Sequence, residues 1–187
     1  MAQSSDLRKN LKILIDDDPY VVFEVNFVKP GKGTAFYKCR IRNLITGAVL
    51  DKTWRSSDKI DLADTEVREL EYIYQDDLHY VFMDTETYEQ TRISGDLLDE
   101  DKYYLTDNLR VEVLFFNDKP VGIELPYFVE LQVTKCEPGF KGDTAQGATK
   151  PATVSTGLEV DVPLFVEEGE WLKVDTRTGE YVERIQK

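Results

Sequence analysis

The strongest structural signal in the sequence comes from three neighbouring stretches: Val21–Val28 (VVFEVNFV), the turn Lys29–Gly33 (KPGKG) and Tyr37–Arg42 (YKCRIR). The two flanking stretches are rich in β-branched and aromatic residues, and the turn between them is rich in glycine and proline. That combination predicts a β-hairpin with an exposed tip. A further strand, Val49–Trp54, is expected to return along the second one after the turn at Thr46-Gly47.

The second strand of this hairpin is expected to have two different faces, because side chains alternate across a strand. The apolar face carries Tyr37, Cys39 and Ile41, and the basic face carries Lys38, Arg40 and Arg42. Cys39 is therefore interpreted as a small buried residue of the core.

Short strand candidates separated by turns continue to the end of the chain. They are Leu70–Tyr74, Tyr80–Met83, Tyr88–Ile93, Leu109–Phe116, Val121–Leu125, Val129–Cys136, Leu158–Val162, Trp171–Val174 and Tyr181–Ile185. The stretch Ser94–Asp99 predicts one short capped helix. Short strands at this spacing predict an all-β chain built from small closed barrels.

Two junctions divide the chain into three predicted domains. The polar stretch 56–64 separates a basic module from an acidic one, and Leu125-Pro126-Tyr127 interrupts strand pairing at the second junction. The predicted domains are 1–64, 65–127 and 128–187. Residues 139–153 are expected to form a long exposed loop inside the third domain.

A weak internal repeat links the second and third domains. The run from Asp84 to Ile93 resembles the run from Asp175 to Ile185, which is one residue longer. A shared strand–turn–strand unit would explain the similarity. Chance resemblance between two acidic turns is the alternative.

The net charge of −13 over 187 residues is unevenly distributed. Residues 1–64 carry +2, residues 65–128 carry −11 and residues 129–187 carry −4. An acidic chain is normally a poor candidate for RNA binding, but here the basic charge is concentrated at the N-terminal end and the middle of the chain is acidic. For the acidic middle, a solvated surface that keeps the protein soluble is as good an explanation as a functional role.

Several classes of protein are disfavoured by composition. No stretch approaches the roughly 18 apolar residues of a membrane helix, and the first residues do not resemble a secretory signal. Cys39 and Cys136 lie far apart and His79 is the sole histidine, which disfavours a disulfide framework, a metal site and most triad chemistry. We expect a cytoplasmic protein with no metal, no cofactor and no membrane contact.

The Gly31-Lys32-Gly33 tip permits two interpretations once a nucleotide-binding loop is set aside. That loop needs glycine at position 26 and Ser or Thr directly after the lysine, whereas Asn26 and Gly33 stand there. The tip could instead present Lys32 outward to a nucleic-acid backbone, because Pro30 and the glycines make it narrow and Lys29 and the basic face surround its base with positive charge. An ordinary solvent-exposed hairpin explains the same residues equally well.

Two other groups of residues have less demanding interpretations. The tyrosines could stack on unpaired bases, but the acidic surroundings favour positions in a barrel core and rim. They are Tyr72, Tyr74, Tyr80, Tyr88, Tyr103 and Tyr104. The acidic run Asp99–Asp101 is better explained as a solvated loop than as a cation site.

Several motifs along the chain together resemble bacterial elongation factor P. They are Val28–Gly33 with Ala35-Phe36, Tyr80–Gln90, Ile123–Pro126, Glu137–Ala145, Lys150–Thr153, Thr156-Gly157, Val162–Val166 and Val174–Arg184. The motifs follow in the family's order and at its spacing over essentially the whole chain. Asn10 departs from the pattern, because the family usually has a glycine nearby, and this leaves a local turn in doubt.

The resemblance implies an all-β fold of three small β-barrel domains. An SH3-like N-terminal barrel would be followed by two OB-type barrels in an L-shaped, tRNA-like arrangement. It also implies a monomeric translation factor, not an enzyme, that binds the ribosome beside peptidyl-tRNA and relieves stalling at consecutive prolines. The loop residues Gly142, Asp143, Thr144 and Ala145 would face the small subunit and mRNA.

The resemblance also implies a role for Lys32, which indicates the family's lysine-tip branch. The matching lysine enters the peptidyl-transferase centre, often after extension by a lysine-modifying enzyme. A lysine side chain reaches roughly 6 Å from its Cα. We therefore expect an added aminoacyl-like group on Lys32, with a bare lysine on a rigid tip as the alternative.

Two rival functions remain open from the sequence. One is an enzyme that uses Lys32, such as a nucleotide hydrolase, and turnover by the pure protein would reveal it. The other is a free-standing OB-type nucleic-acid-binding protein. The charge of −11 on residues 65–128 argues against that second possibility.

Overall fold

A computed structural model describes residues 2–138 and 148–187. Most of the described chain is β-strand, arranged in three antiparallel sheets, which confirms the all-β prediction. The chain forms two compact units: one holds the chain up to Arg68 together with Val113–Gly122, and the other holds Glu69–Glu112 together with Ile123–Lys187. The predicted loop residues Gly142–Ala145 lie outside the described residues.

The first sheet has the strand order β1-β6-β2-β3-β4-β5. Its strands are β1 (Ala2–Gln3), β2 (Lys12–Ile15), β3 (Asp18–Val28), β4 (Phe36–Asn43), β5 (Val49–Arg55) and β6 (Lys59–Leu62). The predicted hairpin is the β3–β4 pair, and β5 is the predicted return strand. A β-bulge between Val22 and Glu24 interrupts the β3–β4 register, and such bulges bend a strand and increase its twist.

The core of the first sheet consists of side chains from one face of these strands together with Leu7, which lies between β1 and β2. Its buried residues are Leu7, Ile13, Val22, Cys39, Ile41, Trp54 and Ile60. The interpretation of 56–64 as a polar connection was incomplete, because β6 lies inside it. Ile60 is the reason: it is buried in this core, and β6 pairs with both β1 and β2.

The second sheet has the order β11-β10-β7-β8-β9. Its strands are β7 (Thr65–Asp76), β8 (His79–Met83), β9 (Gln90–Ser94), β10 (Arg110–Phe116) and β11 (Lys119–Glu124). The predicted short helix is present as α1 (Gly95–Leu98), and the Ser94 hydroxyl accepts a hydrogen bond from the Leu97 N–H at 3.3 Å. A 3-10 helix, Asp99–Tyr104, follows it.

The third sheet has the order β14-β13-β12-β15-β16. Its strands are β12 (Phe128–Cys136), β13 (Thr149–Val154), β14 (Glu159–Pro163), β15 (Trp171–Asp175) and β16 (Tyr181–Ile185). The prediction of an exposed loop over 139–153 was wrong at its C-terminal end, where β13 begins at Thr149. Lys150 is buried there, and its ammonium donates a hydrogen bond to the Glu137 carbonyl at 2.7 Å.

The suspected internal repeat is a shared turn, and it occurs three times within residues 2–138 and 148–187. Asp84 and Asp175 each accept, through a side-chain oxygen, the backbone N–H two residues later, at 2.8 and 2.9 Å. Asn43 does the same to the Ile45 N–H at 2.8 Å. In each copy the N–H four residues after the Asp or Asn donates to its carbonyl, at 2.8 to 3.0 Å. Each of the three sheets therefore contains one copy, and only two were visible in the sequence.

Asn10 and Tyr88 are two of the residues other than glycine that adopt the positive-φ backbone conformation that usually requires glycine. Asn10 has φ 68°, so it adopts the conformation a glycine would take, and its departure from the family pattern does not remove the turn. Tyr88 has φ 61° at the position where the other two shared turns have Gly47 and Gly179. A tyrosine is strained in this conformation, whereas asparagine tolerates it.

Candidate functional site: the β3–β4 tip and its basic face

The connection from β3 to β4 is an exposed tip formed by residues 29–35. Lys29, Gly31, Lys32 and Gly33 are exposed, and Pro30 is half-buried. Gly33 has φ +116°, a backbone conformation that side chains strongly disfavour. The tip therefore needs glycine at position 33 for a conformational reason.

Space around Lys32 is open. A Cβ atom built on Gly31 would meet no heavy atom within 4 Å, and one on Gly33 would meet only the Pro30 Cγ, at 3.8 Å. Within the described chain, Lys32 forms no salt bridge or side-chain hydrogen bond. Its ammonium is thus available to a partner outside the protein.

The base of the tip is held by paired aromatic and aliphatic residues. Val28 pairs with Phe36, and Phe27 pairs with Tyr37 across the two strands. The rings of Phe27 and Tyr37 lie 4.9 Å apart between centroids, within the range of favourable aromatic pairs. The strands therefore support the tip from below, although Phe27 remains more than half exposed.

The basic face of β4 is present as predicted. Lys38, Arg40 and Arg42 are exposed, while Cys39 and Ile41 between them are fully buried. Burial raises the pKa of the Cys39 thiol to about 11, because the thiolate would lose its hydration. Cys39 is therefore a core residue and not a reactive thiol.

The three cations of the basic face are not equivalent. Arg40 lies between Glu24 on β3 and Asp51 on β5, and its Nε is 3.5 Å from the Asp51 carboxylate. Lys38 and Arg42 have uncharged neighbours at the corresponding positions and form no salt bridge in the part of the chain that the structure describes. The charge of Arg40 is thus partly compensated, whereas Lys38 and Arg42 have no compensating carboxylate among the described residues.

One further cation belongs to this face and was missed from the sequence. Arg55 pairs with Phe36 at the tip end of β5, and residues directly opposite in antiparallel strands share a face. Its side chain is exposed. The predicted return strand ended at Trp54, one residue short of Arg55. Extending the alternation by that residue would have found it.

The other candidate sites divide into core and surface. Tyr72 and Tyr104 are buried, and Tyr72 packs against Phe82 with ring centroids 5.6 Å apart. The interpretation as barrel core holds for both, and burial raises their pKa values. Tyr74, Tyr88 and Tyr103 are exposed.

Two features that the described residues lack bear on other functions. Across 2–138 and 148–187, no group of three or more His, Cys, Asp or Glu side chains is placed to hold a metal ion. In the same part of the chain, no helix has the length and apolar character required to cross a membrane. The predicted acidic run Asp99–Asp101 forms the start of the 3-10 helix.

Comparison with protein families identifies all three segments. The elongation factor P KOW-like domain matches residues 3–60, the elongation factor P OB domain matches residues 65–123, and the elongation factor P C-terminal domain matches residues 129–184.

Full-length relatives agree with this assignment. Elongation factor P from Syntrophus aciditrophicus is 50% identical over 186 residues and covers 100% of both chains. The protein of that name from Desulfatibacillum aliphaticivorans is 49% identical over 187 residues, again covering 100% of both chains. Elongation factor P from Bdellovibrio bacteriovorus is 48% identical over 185 residues, or 99% of this chain and 98% of its own.

A solved structure shows a related fold. The eukaryotic translation initiation factor 5A from Methanococcus jannaschii aligns with a TM-score of 0.52 at 19% identity, over 67% of this chain and 90% of its own. The domain models and the full-length relatives carry the assignment. The chain belongs to the elongation factor P family and is a translation elongation factor that associates with the ribosome.

Proposed function

We propose that the protein binds the ribosome beside peptidyl-tRNA and presents Lys32 to the end of that tRNA. The observation that supports this is the tip itself: an exposed lysine between two glycines, with open space on both sides and no ion pair within the described chain. A cation held in this way can approach a crowded, negatively charged partner. The basic face directly behind the tip would contact the RNA backbone.

The proposed mechanism is positioning, with no covalent chemistry by the protein. Proline is a poor reactant because its ring fixes the backbone and its amine is secondary. A factor that orders the end of peptidyl-tRNA reduces the entropic cost of reaching a reactive geometry. Consecutive prolines are therefore where the factor has its largest effect, and the protein itself is not an enzyme.

We further propose three domains with boundaries at 64/65 and 127/128, acting as a cytoplasmic monomer. The first sheet ends at Leu62, the second runs from Thr65 to Glu124 and the third begins at Phe128. The first domain would contact tRNA, and the acidic second and third would occupy the adjoining space with fewer phosphate contacts. The residues Gly142, Asp143, Thr144 and Ala145 would face the small subunit and mRNA.

Lys32 is also the proposed target of a lysine-modifying enzyme. The open space beside Gly31 and Gly33 gives such an enzyme access to the amine. An added aminoacyl-like group that keeps a terminal cation would roughly double the reach of the side chain. Mass spectrometry of the tip peptide from natively produced protein tests this, and equal activity of modified and unmodified protein would refute the argument from reach.

The decisive experiment compares Lys32→Ala with Lys29→Ala on translation of a reporter that contains three consecutive prolines. Both residues are exposed on the same tip, so both variants should keep the melting temperature of the parent protein. Lys32→Ala should abolish read-through, and Lys29→Ala should reduce it only partly. Normal read-through by Lys32→Ala would remove the assignment of Lys32.

A further inference from the structure

The outer face of the third sheet carries exposed aromatic rings where a solvated sheet usually carries polar residues. Along β12, Val129 and Leu131 point into the core, so Phe128 and Glu130 point outward. Phe128 is 43% exposed, and the adjoining Tyr127 is 67% exposed. On β15, Trp171 lies on the same outer face but is half-buried. We call Tyr127, Phe128 and Trp171 the aromatic face.

A cation lies over every ring of the aromatic face. The Lys187 ammonium is 3.9 Å from the Trp171 centroid, the Lys173 ammonium is 5.0 Å from the Phe128 centroid, and the Arg177 guanidinium is 4.8 Å from the Tyr127 centroid. Such cation–π contacts keep rings and cations together at the surface. Rings and cations are also the groups that bind unpaired nucleotides, through base stacking and phosphate contacts.

Each of these cations also has a carboxylate partner. Lys187 lies 2.7 Å from Glu130, and Lys173 lies 3.0 Å from Glu183. Arg177 pairs with Asp175. The face is therefore nearly neutral, and a ligand would be held mainly by stacking rather than by charge. A basic peptide would gain little here, because its cations would only replace cations that are already paired.

The aromatic face continues into a groove of about 730 Å³, all of whose lining residues belong to the second compact unit. Phe128 and Trp171 line it together with Gln75 and Asn108, whose side chains end in amide groups. Amide groups provide the donors and acceptors that can pair with base edges. Thr156 also lines the groove, and its buried hydroxyl has no hydrogen-bond partner in the described chain, a situation that native proteins usually avoid.

We propose that the aromatic face and its groove bind an unpaired RNA segment by stacking bases on Tyr127, Phe128 and Trp171. This contact is separate from the tip, because it involves the third sheet. It depends on base stacking on aromatic rings and not on contacts with phosphates. Exposed aromatic residues on a β-sheet are a recurrent platform for single-stranded RNA. The small net charge of the face predicts an affinity that changes little with salt, unlike that of a basic surface.

Trp171 provides a direct probe, because the chain has two tryptophans and Trp54 is buried in the first sheet. In the full-length Trp54→Phe protein, Trp171 is the remaining tryptophan. Titration with single-stranded hexa-adenylate should quench its fluorescence saturably, with similar dissociation constants at low and high salt. No quenching at millimolar oligonucleotide, or binding that disappears with salt, would overturn the proposal.

Matched tyrosine variants locate the contact. Tyr127→Ser in the same background should weaken oligonucleotide binding roughly 5- to 100-fold, the usual effect of removing one stacking ring. Tyr88→Ser removes an equally exposed tyrosine from the second sheet and should leave binding unchanged. Equal effects of the two variants, or tighter binding of an oligolysine peptide than of RNA, would overturn the assignment.

The outcome is independent of the proposed role of Lys32. Free oligonucleotide does not require the tip, so failure of the fluorescence experiment would leave the reporter experiment unaffected. Conversely, normal read-through by Lys32→Ala would not alter the expected quenching of Trp171.

Discussion

The β3–β4 tip and the turn between β15 and β16 both connect antiparallel strands, but they are held very differently. In the second turn, Asp175 accepts the Arg177 N–H at 2.9 Å, its carbonyl accepts the Gly179 N–H at 2.8 Å, and the Thr178 hydroxyl accepts the Glu180 N–H at 3.3 Å. Within the described chain, no hydrogen bond joins residues 29–34 to one another. The first connection is constrained only at its base, and the second throughout.

The two connections therefore differ in how far their own hydrogen bonds fix the backbone. The shared turn satisfies its own backbone groups, so it defines strand register and requires no partner. The tip leaves its polar backbone groups and one lysine to the surroundings. We therefore expect substitutions in the shared turns to change stability with little effect on function, and substitutions at the tip to do the reverse.

The largest expected effect on stability is at Asn43. This residue is 3% exposed, its side-chain oxygen accepts the Ile45 and Thr46 N–H groups, and its amide donates to Asp18 at 3.1 Å. Asn43→Ala should lower the free energy of unfolding by about 2–3 kcal/mol, because it removes the hydrogen bonds of a buried side chain and leaves two part-buried N–H groups without their partner. Denaturant unfolding measures this, with Lys32→Ala as the control that should change by less than about 0.5 kcal/mol. Equal losses of unfolding free energy in the two variants would contradict the expected difference between the shared turns and the tip.

The two glycines beside Lys32 provide the next test. Gly33→Ala should cost about 1–2 kcal/mol, because alanine is strained at positive φ. Gly31→Ala meets no neighbouring atom and should leave the free energy of unfolding nearly unchanged. If Gly31→Ala nevertheless reduces read-through of the proline reporter, the ribosomal site beside the tip is narrow. Normal read-through would show that only the backbone at Gly33 matters.

Charge reversal on the basic face should weaken ribosome binding. Reversing Lys38, Arg40 and Arg42 together should lower both the affinity and its salt dependence, because phosphate contacts are lost. Lys38 and Arg42 should account for most of this, at roughly one unit of salt slope each. Among single neutralising substitutions, Arg40→Gln should have the smallest effect, since Asp51 already compensates part of the Arg40 charge. Binding measured across a salt series distinguishes these outcomes.

Tyr88 is a strained residue inside one of the constrained shared turns, so replacing it should stabilise the protein. Its side chain is 71% exposed, so little packing is lost on removal. Tyr88→Gly should raise the free energy of unfolding by about 0.5–1 kcal/mol by relieving the positive-φ strain. Gly47→Tyr, in the corresponding turn of the first sheet, should do the opposite. A destabilised Tyr88→Gly protein would show that the ring has a packing role.

The smallest expected effect concerns pH. The hydrogen bond from the Arg177 guanidinium holds the pKa of Asp175 at about 2, below its ordinary value of 3.8. Since the folded-state pKa is lowered, this carboxylate stabilises the fold above pH 3.8, and its contribution is lost as the pH falls toward 2. Arg177→Gln should raise that pKa and shift acid unfolding to higher pH. An NMR titration of Asp175 measures the change, and an unaltered pKa would contradict the pairing.

The hairpin, its two faces and its tip could be predicted from the sequence, because they depend on the alternation of neighbouring residues and on the residues of the turn. Cys39 and Ile41 are buried and Lys38 and Arg42 are exposed, as strand periodicity requires. The same local signals located most strands to within a few residues. The family motifs also lie in continuous runs of the chain, so the order of the residues is enough to recognise them.

Other features depend on residues far apart in the chain, so only the folded structure could reveal them. β6 and β13 lie in polar stretches of the sequence. In β6, Ile60 is buried in the core of the first sheet, and in β13 the buried Lys150 donates a hydrogen bond to the Glu137 carbonyl. Cross-strand register alone pairs Arg40 with Asp51 and adds Arg55 to the basic face. Phe128 and Trp171 likewise share one face of the third sheet only because β12 pairs with β15. Alternation within one strand tells which side a residue faces, whereas only the folded sheet determines what it faces.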